Sequence, residues 1–585
     1  MSEQVAQQGH PKGLWVLFGT EMWERFNFYG MRALLTLFLA NALMMGEQEA
    51  SFIYGGFLGL SYLTPMLGGY ISDKYLGNRN CILLGGLTMA CGQFLLFTSA
   101  SSFATNLDLA KSVMWIALLV IILGNGFFKP NISSMVGQLY PENQKSKLDS
   151  AFTIFYMGIN VGALLGQTIC PLLGDVETTT VVNGVEKTVR DLSAFKWGFF
   201  AAGVAMLLGT ILFFFLKNRY VVTDDGKAIG AKPRQGVQED GSEQAKFGSR
   251  SVVILISMLV IFYFVFQFLS WDSGLMPMTG SGIGAYFDAL SLSPIKTYIY
   301  PFIYAAGCSL GIFILTDKSL TKVETQRIYV LYIVAFFVIF FWAAFEQAGS
   351  SLTFIADNQT DTEIFGWKMP PSMVQNFNGF FVIIFALPFS ALWLWLQKRN
   401  MEPISTAKQA FGLALIALGY LIIALQVKDL GTTGKLGVIW LIVLYLLHTW
   451  GELCLSPIGL SLVAKLAPKR FASLLMGVWF LGNAAGYALT GTLGALLPPT
   501  GDKYAKAAEK GIDLQAILDK TGTATADQLA FLAEKKIPIV YPQFAGFQIH
   551  NLFEFFMVFV ILCGTAAIVL YALTPLLKRM MHGVR

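Results

Sequence analysis

The chain reads as an all-α polytopic membrane protein with fourteen transmembrane helices, two six-helix bundles plus an inserted two-helix pair. Three observations predict this class. The 585 residues are 55% hydrophobic and only 13% charged, against about 25% charged in a soluble domain, and the mean hydropathy is +0.59. Apolar runs of spanning length recur from end to end, and hydrocarbon admits continuous runs of this kind only as helices. Their spacing is uneven: six spans, a polar stretch at 217–250, two more spans, then six.

The first six spans are expected at 13–44, 51–72, 81–102, 113–138, 151–173 and 194–216. The inserted pair is expected at 251–271 and 297–316. The last six are expected at 329–355, 371–397, 409–427, 437–466, 472–498 and 551–577. This divides the chain into a cytoplasmic N-terminus (1–12), an N-terminal bundle (13–216), and a linker with the extra pair (217–328). A C-terminal bundle (329–577) follows, carrying an extracytoplasmic insert at 499–550, and then a cytoplasmic tail (578–585). The first apolar run is too long and too charged for a cleaved leader, so it is expected to be retained.

Charge sets the orientation. With the N-terminus inside, about 24 Lys/Arg flank spans on the cytoplasmic side and about 14 outside, as the positive-inside rule requires. About six of the outer ones lie in the long loop 499–550, and long loops count little in that rule. The short loops KNRY (217–220), DKSLTK (317–322), QKRN (397–400) and APKR (467–470) are basic, and MGEQEA (45–50) is acidic. Both termini are therefore expected in the cytoplasm. The inserted pair has no ionisable residue at mid-span and reads as a peripheral structural addition. Loop 499–550 contains amphipathic stretches at 511–520 and 525–536, which suggest a small helical insert resting on the outer rim.

Several chemistries find no support. The six cysteines all fall in apolar runs and form no CxxC, so neither a disulfide framework nor a zinc site is expected. GSGIGA (280–285) follows a membrane span rather than a strand, which removes the nucleotide-loop reading. There is no HExxH and no Ser/His/Asp arrangement, so no enzyme, metal or cofactor is expected. Nor is nucleic acid expected as a partner.

The informative residues are charges at membrane depth. The first span contains TEMWERFNFYGMR (20–32), with two glutamates and two arginines. One Asp, Lys or Arg at a helix centre costs about 2.5–3.5 kcal/mol on insertion scales, so such residues must face protein or water and are functional candidates. Glu21, Arg25, Tyr29 and Arg32 are spaced 4, 4 and 3 and form one helical stripe, with Glu24 beside it. Other spans carry matching stripes: Asn125, Lys129 and Ser133; Tyr156 and Asn160; Trp342, Glu346 and Ser350; Gln375 and Asn378; Tyr445, His448, Glu452 and Ser456. Ionisable residues from both halves thus describe a polar cavity between two bundles. Glu21, Glu24, Glu346 and Glu452 against Arg25, Arg32 and Lys129 leave one negative charge, which a single proton would neutralise. That arithmetic suggests proton coupling.

These residues resemble those of the proton-coupled oligopeptide transporter (POT/PTR) family, a branch of the major facilitator superfamily. Glu21-Met-Trp-Glu24-Arg25-Phe is similar to the family's ExxERF motif, and GGYISDKYLGNR (68–79) to the loop after its second helix, where Asp73 would cap or pair. FFKPNISS (127–134), FYMGINVGALLG (155–166), FWAAFEQAGSSL (341–352) and GELCLSPIGLSLVAKLAP (451–468) resemble further family signatures. The resemblance implies the major facilitator fold and a symporter that imports di- and tripeptides on the proton gradient. It implies that Glu21, Glu24, Arg25 and Lys129 couple the proton. It also implies that Arg25, Tyr29 and Lys129 receive the peptide carboxylate, while Glu452 receives the amino group, helped by Asn160 and Asn378. Ser456 shares that face. Arg32 and Glu346 would form a gate salt bridge, and Tyr62, Trp342 and Trp479 would line side-chain pockets. A functional monomer in a plasma membrane of bacterial inner-membrane type is expected. Two readings stay open beside it: a carrier of a non-peptide anion such as nitrate, and a peptide-binding receptor that moves nothing. Animal members carry a histidine after the tyrosine corresponding to Tyr54, where this chain has Gly55. The remaining deep histidine, His448, is a candidate for either a proton role or packing.

Overall fold

A computed structural model of the chain describes residues 9–140, 147–182, 185–223, 226–232, 247–272, 276, 278 and 280–584. It divides into two compact units. One holds Met1–Phe38 with Leu63–Glu239, the other Leu39–Tyr62 with Asp240–Arg585.

In the first unit, α1 (Lys12–Leu37) packs on α5 (Leu148–Gly174) and α6 (Phe195–Tyr220), and α3 (Asn78–Ser102) packs on α4 (Leu107–Gln138). The C-terminal part of α2 (Gly46–Ile71), from Leu63 on, also belongs here. Lipid tails supply no hydrophobic drive between helices, so close backbone approach through small residues carries the packing. Gly68 lies against the carbonyl of Gly126, Gly162 against that of Met22, and Gly166 against that of Phe26. The glycines of GGYISD and GINVGALLG are therefore helix-contact positions. A hairpin of β1 (Glu177–Val182) and β2 (Val185–Arg190) joins α5 to α6, with Arg190 paired to Asp175 at 2.7 Å.

The turn after α2 departs from expectation. Asp73 lies in a π-helical turn, Ser72–Leu76, that has no side-chain cap. Arg79 instead organises the region. Its Nε donates to Ile229 O at 2.6 Å and its Nη1 to Asn218 Oδ1 at 2.9 Å, and it also reaches the carbonyl of Val221. This ties the start of α3 to the segment that follows α6.

The second unit begins with α7 (Ser249–Leu269), the short α8 (Ile283–Leu290), and α9 (Tyr300–Leu315), which a π-helical turn at Ile295–Ile299 precedes. Then come α10 (Lys322–Phe345), α11 (Ser351–Asn358), α12 (Asn376–Lys398), α13 (Ser405–Val427), α14 (Val438–Leu466) and α15 (Ala472–Gly494). The insert supplies α16 (Gly501–Ala508), α17 (Leu514–Leu518) and α18 (Ala526–Glu534), and α19 (Leu552–Met580) closes the unit. Two-residue strands sit in the connections. β3 (Thr360–Asp361) runs parallel to β6 (Leu436–Gly437), and hairpins pair β4 (Glu363–Ile364) with β5 (Trp367–Lys368) and β7 (Gln543–Phe544) with β8 (Phe547–Gln548).

All fourteen expected spans are helical. Among the described residues, eleven helices are apolar and long enough to cross a membrane by composition alone. The three that fall short, α1, α2 and α15, are those loaded with charge or glycine. The span expected at 329–355 is not continuous. It breaks into a 3₁₀ turn at Glu346–Gly349 before α11 resumes. Gln347 is held there, donating to Ala343 O and Thr490 O at 3.0 Å each and accepting from Ser351 Oγ at 2.6 Å.

The inserted pair is peripheral in one member only. In α7, just Ser251 and Gln267 are buried. By contrast, α9 packs on α15, and Tyr300 Oη donates to Phe52 O of α2 at 2.8 Å. A Cβ on Gly55 would stand 2.7 Å from both Tyr300 Oη and Gly491 N. No side chain fits there without displacing these atoms, which accounts for the glycine.

A candidate proton and peptide site

On α1 the expected stripe is realised. Arg25 Nε lies 2.7 Å from Glu21 Oε1 and 2.8 Å from Glu24 Oε2. All three are buried, Glu24 completely. One guanidinium thus serves two carboxylates. Lys129 of α4 is near enough to Glu24 to act on it electrostatically. The first unit therefore gathers Glu21, Glu24, Arg25 and Lys129 in one place. Arg32 is buried further along α1 with its guanidinium 4.7 Å above the Tyr29 ring. Asn160 donates to Tyr156 O of its own helix at 2.8 Å.

The second unit brings together the other set. Asn378 of α12 donates to Glu452 Oε2 and to Thr449 Oγ1, each at 3.0 Å. This fixes the Glu452 carboxylate on α14 and leaves it a partly exposed acceptor. Glu346, at the 3₁₀ break, accepts from Tyr54 Oη at 3.2 Å, and Gly349 lies directly against the same hydroxyl. Tyr62 packs on Tyr487 with centroids 4.5 Å apart and the rings tilted by 58°, and Trp342 approaches Tyr487 at 5.8 Å. Trp479 is buried against Gly459 of α14. The side chain of Ser456 lies outside the described residues.

Sequence reasoning passed over Thr449, Tyr54 and Tyr487. Thr449 stands three residues before Glu452, so helical spacing could have found it. Nothing in the sequence joins Tyr54 to a carboxylate 292 positions away. His448 settles differently from Glu452. Its ring is buried, 4.8 Å from Tyr420 and 6.3 Å from Phe345, and neither nitrogen has a hydrogen-bond partner among the described residues. Packed between aromatic neighbours, the ring takes the place of a core residue. His448→Phe is accordingly expected to leave the pH profile of uptake superimposable on that of the parent. A displaced profile would assign the histidine a proton role.

Comparison with known proteins decides the family. The model of the POT family matches residues 79–235 and 296–504. The chain belongs to the POT family. An uncharacterised transporter, YclF of Bacillus subtilis, is 32% identical over 83% of this chain and 88% of its own length. The peptide transporter YePEPT of Yersinia enterocolitica is also 32% identical over the same shares. A solved POT family transporter in complex with 5-aminolevulinic acid is 26% identical, with a TM-score of 0.69 over 98% of both chains. Another, peptide transporter POT in complex with sulfate, is 25% identical with a TM-score of 0.69, over 99% of this chain and 98% of its own. The POT fold of fourteen transmembrane helices is therefore that of this chain, and the protein is an integral membrane transporter rather than an enzyme.

Proposed function

We propose that this POT family member is a proton-driven symporter that imports di- and tripeptides by alternating access. The observation that carries the reading is the division of charge. A basic pair, the buried Arg25 with the half-buried Lys129, sits in one unit, and the oriented carboxylate of Glu452 in the other. A peptide is a zwitterion, so it needs a cationic and an anionic receptor. The bundles 13–216 and 329–577 are the halves that move, and a ligand requiring groups from both draws them together. Relatives described as di-/tripeptide transporters, in Lactococcus lactis among others, support the substrate class.

Glu24 is the proton site in this reading, because it is the acid that faces both Arg25 and Lys129. Arrival of the peptide carboxylate at Lys129 and Arg25 removes the cations that keep Glu24 ionised, and Glu24 takes a proton. Tyr29 supports the carboxylate end, and Asn160, Asn378 and Ser456 the amine end. Arg32 and Glu346 form the gate pair, and Tyr62, Trp342 and Trp479 bound the side-chain pockets. A monomer suffices, set in a bacterial inner membrane with both termini cytoplasmic. Glu452 and its Asn378 bond weigh against a nitrate-like cargo, since an anion has no use for an oriented carboxylate.

The test is uptake of labelled dialanine by proteoliposomes under an inward proton gradient. Accumulation that a protonophore abolishes is expected. Binding without accumulation would instead mark a receptor.

A further inference from the structure

The insert between α15 and α19 is a folded body with its own core. Ala507, Ile512, Leu514, Leu518, Leu532 and Tyr541 are buried together. The capping box at Thr525 starts α18, and Tyr541 Oη donates to Asp519 at 3.0 Å. A body this size needs an anchor, and the structure provides two. Gly501 N donates to Gln359 Oε1 at 2.9 Å. Lys503, itself buried, reaches Glu47 in the first turn of α2 at 2.5 Å. Glu47 Oε1 also accepts from Asn358 Nδ2 at 2.8 Å.

We propose that the insert is a latch: Lys503 holds Glu47 and so positions the outer end of α2, and the pair must part in each transport cycle. The proposal rests on the transport reading and on the orientation given by the basic short loops. It follows from the position of Glu47. The outer half of α2 packs within the second unit through Ser51, Tyr54 and Gly55, while the inner half belongs to the first. Because α2 contributes residues to both units, the movement of the halves that the transport reading requires needs its outer half to be released from these contacts.

The charges around the pair make it sensitive to outside acid. Lys503 faces Glu47, Asp502 and Asp357. Asp502 is paired in turn with Lys506 at 3.1 Å, the stem of Lys536 lies against Gly46, and Glu49, two residues after Glu47, is exposed. Three acids thus share one buried cation and one outer lysine. Burial raises the Glu47 carboxyl above its usual range, and Asp502 and Asp357 add to this against the pull of Lys503. Burial works against the Lys503 ammonium, yet Glu47 and Asp502 outweigh it and hold it above its usual value. A carboxyl with a raised value takes up its proton at a higher pH than an ordinary one. Acidification therefore neutralises Glu47 first, while Lys503 stays charged. The latch holds at neutral pH and loosens toward the acidic side of the gradient.

The probe is Ser51→Cys, a buried α2 position bonded to Ser350 at 3.0 Å. It is placed in a chain whose exposed Cys91 and Cys308 are replaced by serine. Labelling by a membrane-impermeant maleimide in right-side-out vesicles is expected to be slow at neutral pH and faster in acid. Glu47→Gln, which keeps the Asn358 bond, and Lys503→Met should each raise the neutral rate at least about tenfold, the factor that 1.4 kcal/mol supplies, and flatten the pH dependence. The exchanged pair, Glu47→Lys with Lys503→Glu, should restore slow labelling. Parent-like rates in both single variants would overturn the proposal. So would fast labelling that the exchanged pair does not reverse, since lost folding rather than a lost pair would then set the rate. Labelling needs no peptide movement, so its failure is distinct from failure of the uptake assay.

Discussion

Glu24→Gln is expected to abolish gradient-driven peptide accumulation while counterflow exchange of peptide persists. The variant removes the titrating oxygen and keeps the size of the side chain. Arg25 retains Glu21 at 2.7 Å, so the variant avoids the penalty of about 3–5 kcal/mol that follows when a buried charge loses its only partner. Folding should therefore survive, and the loss reports coupling. Glu21→Gln supplies the contrast. It also leaves Arg25 one carboxylate, but Glu24, which faces Lys129, remains able to titrate. Measurable accumulation by Glu21→Gln beside none by Glu24→Gln would place the proton on Glu24. Equal loss of accumulation and exchange in Glu24→Gln would sink the coupling role, because exchange needs binding and movement without net proton flow.

Glu452→Gln is expected to lose peptide affinity rather than coupling. The amide can still accept from Asn378, which lies 3.0 Å from the carboxylate, so the local geometry of α12 and α14 is preserved. What disappears is the charge that meets the peptide ammonium. A hydrogen bond to a charged group contributes about 1.5–3 kcal/mol, which is roughly ten- to hundredfold in dissociation constant. Competition by dialanine should weaken by that factor. A peptide with its amino group acetylated should be bound equally poorly by parent and variant. An unchanged affinity for dialanine in Glu452→Gln would move the amine receptor elsewhere. Asn378→Ala should give a smaller loss of the same kind, since the Glu452 carboxylate itself remains.

Much of the architecture was legible from composition and period. Long apolar runs have one solution in hydrocarbon, so fourteen spans followed from hydropathy, and every one is a helix. The charged stripe on the first span was legible because 3.6-residue periodicity places Glu21 and Arg25 on one face. The insert was half legible. Its amphipathic stretches became α17 and α18, but α16, the helix that carries Lys503, has a sequence rich in alanine and lysine that signals a helix and not an anchor.

The break at Glu346–Gly349 was not legible, because Glu346 and Ser350 fit a polar stripe on a continuous helix as well as they fit a break. It arises where the Tyr54 hydroxyl packs on Gly349 and Gln347 bonds to Thr490, contacts that no local pattern encodes. The role of Gly55 was hidden for the same reason, since its neighbours are Tyr300 and Gly491. The sequence by itself determined which segments cross the membrane, which faces are polar and which acids and bases are available, because those depend on local composition and helical period. Tertiary structure alone decided that Lys129 acts on Glu24, which acid Asn378 orients, and that the N-terminal half of α2 is held by residues hundreds of positions later. Those outcomes depend on distances between chain-remote atoms, which the order of residues does not contain.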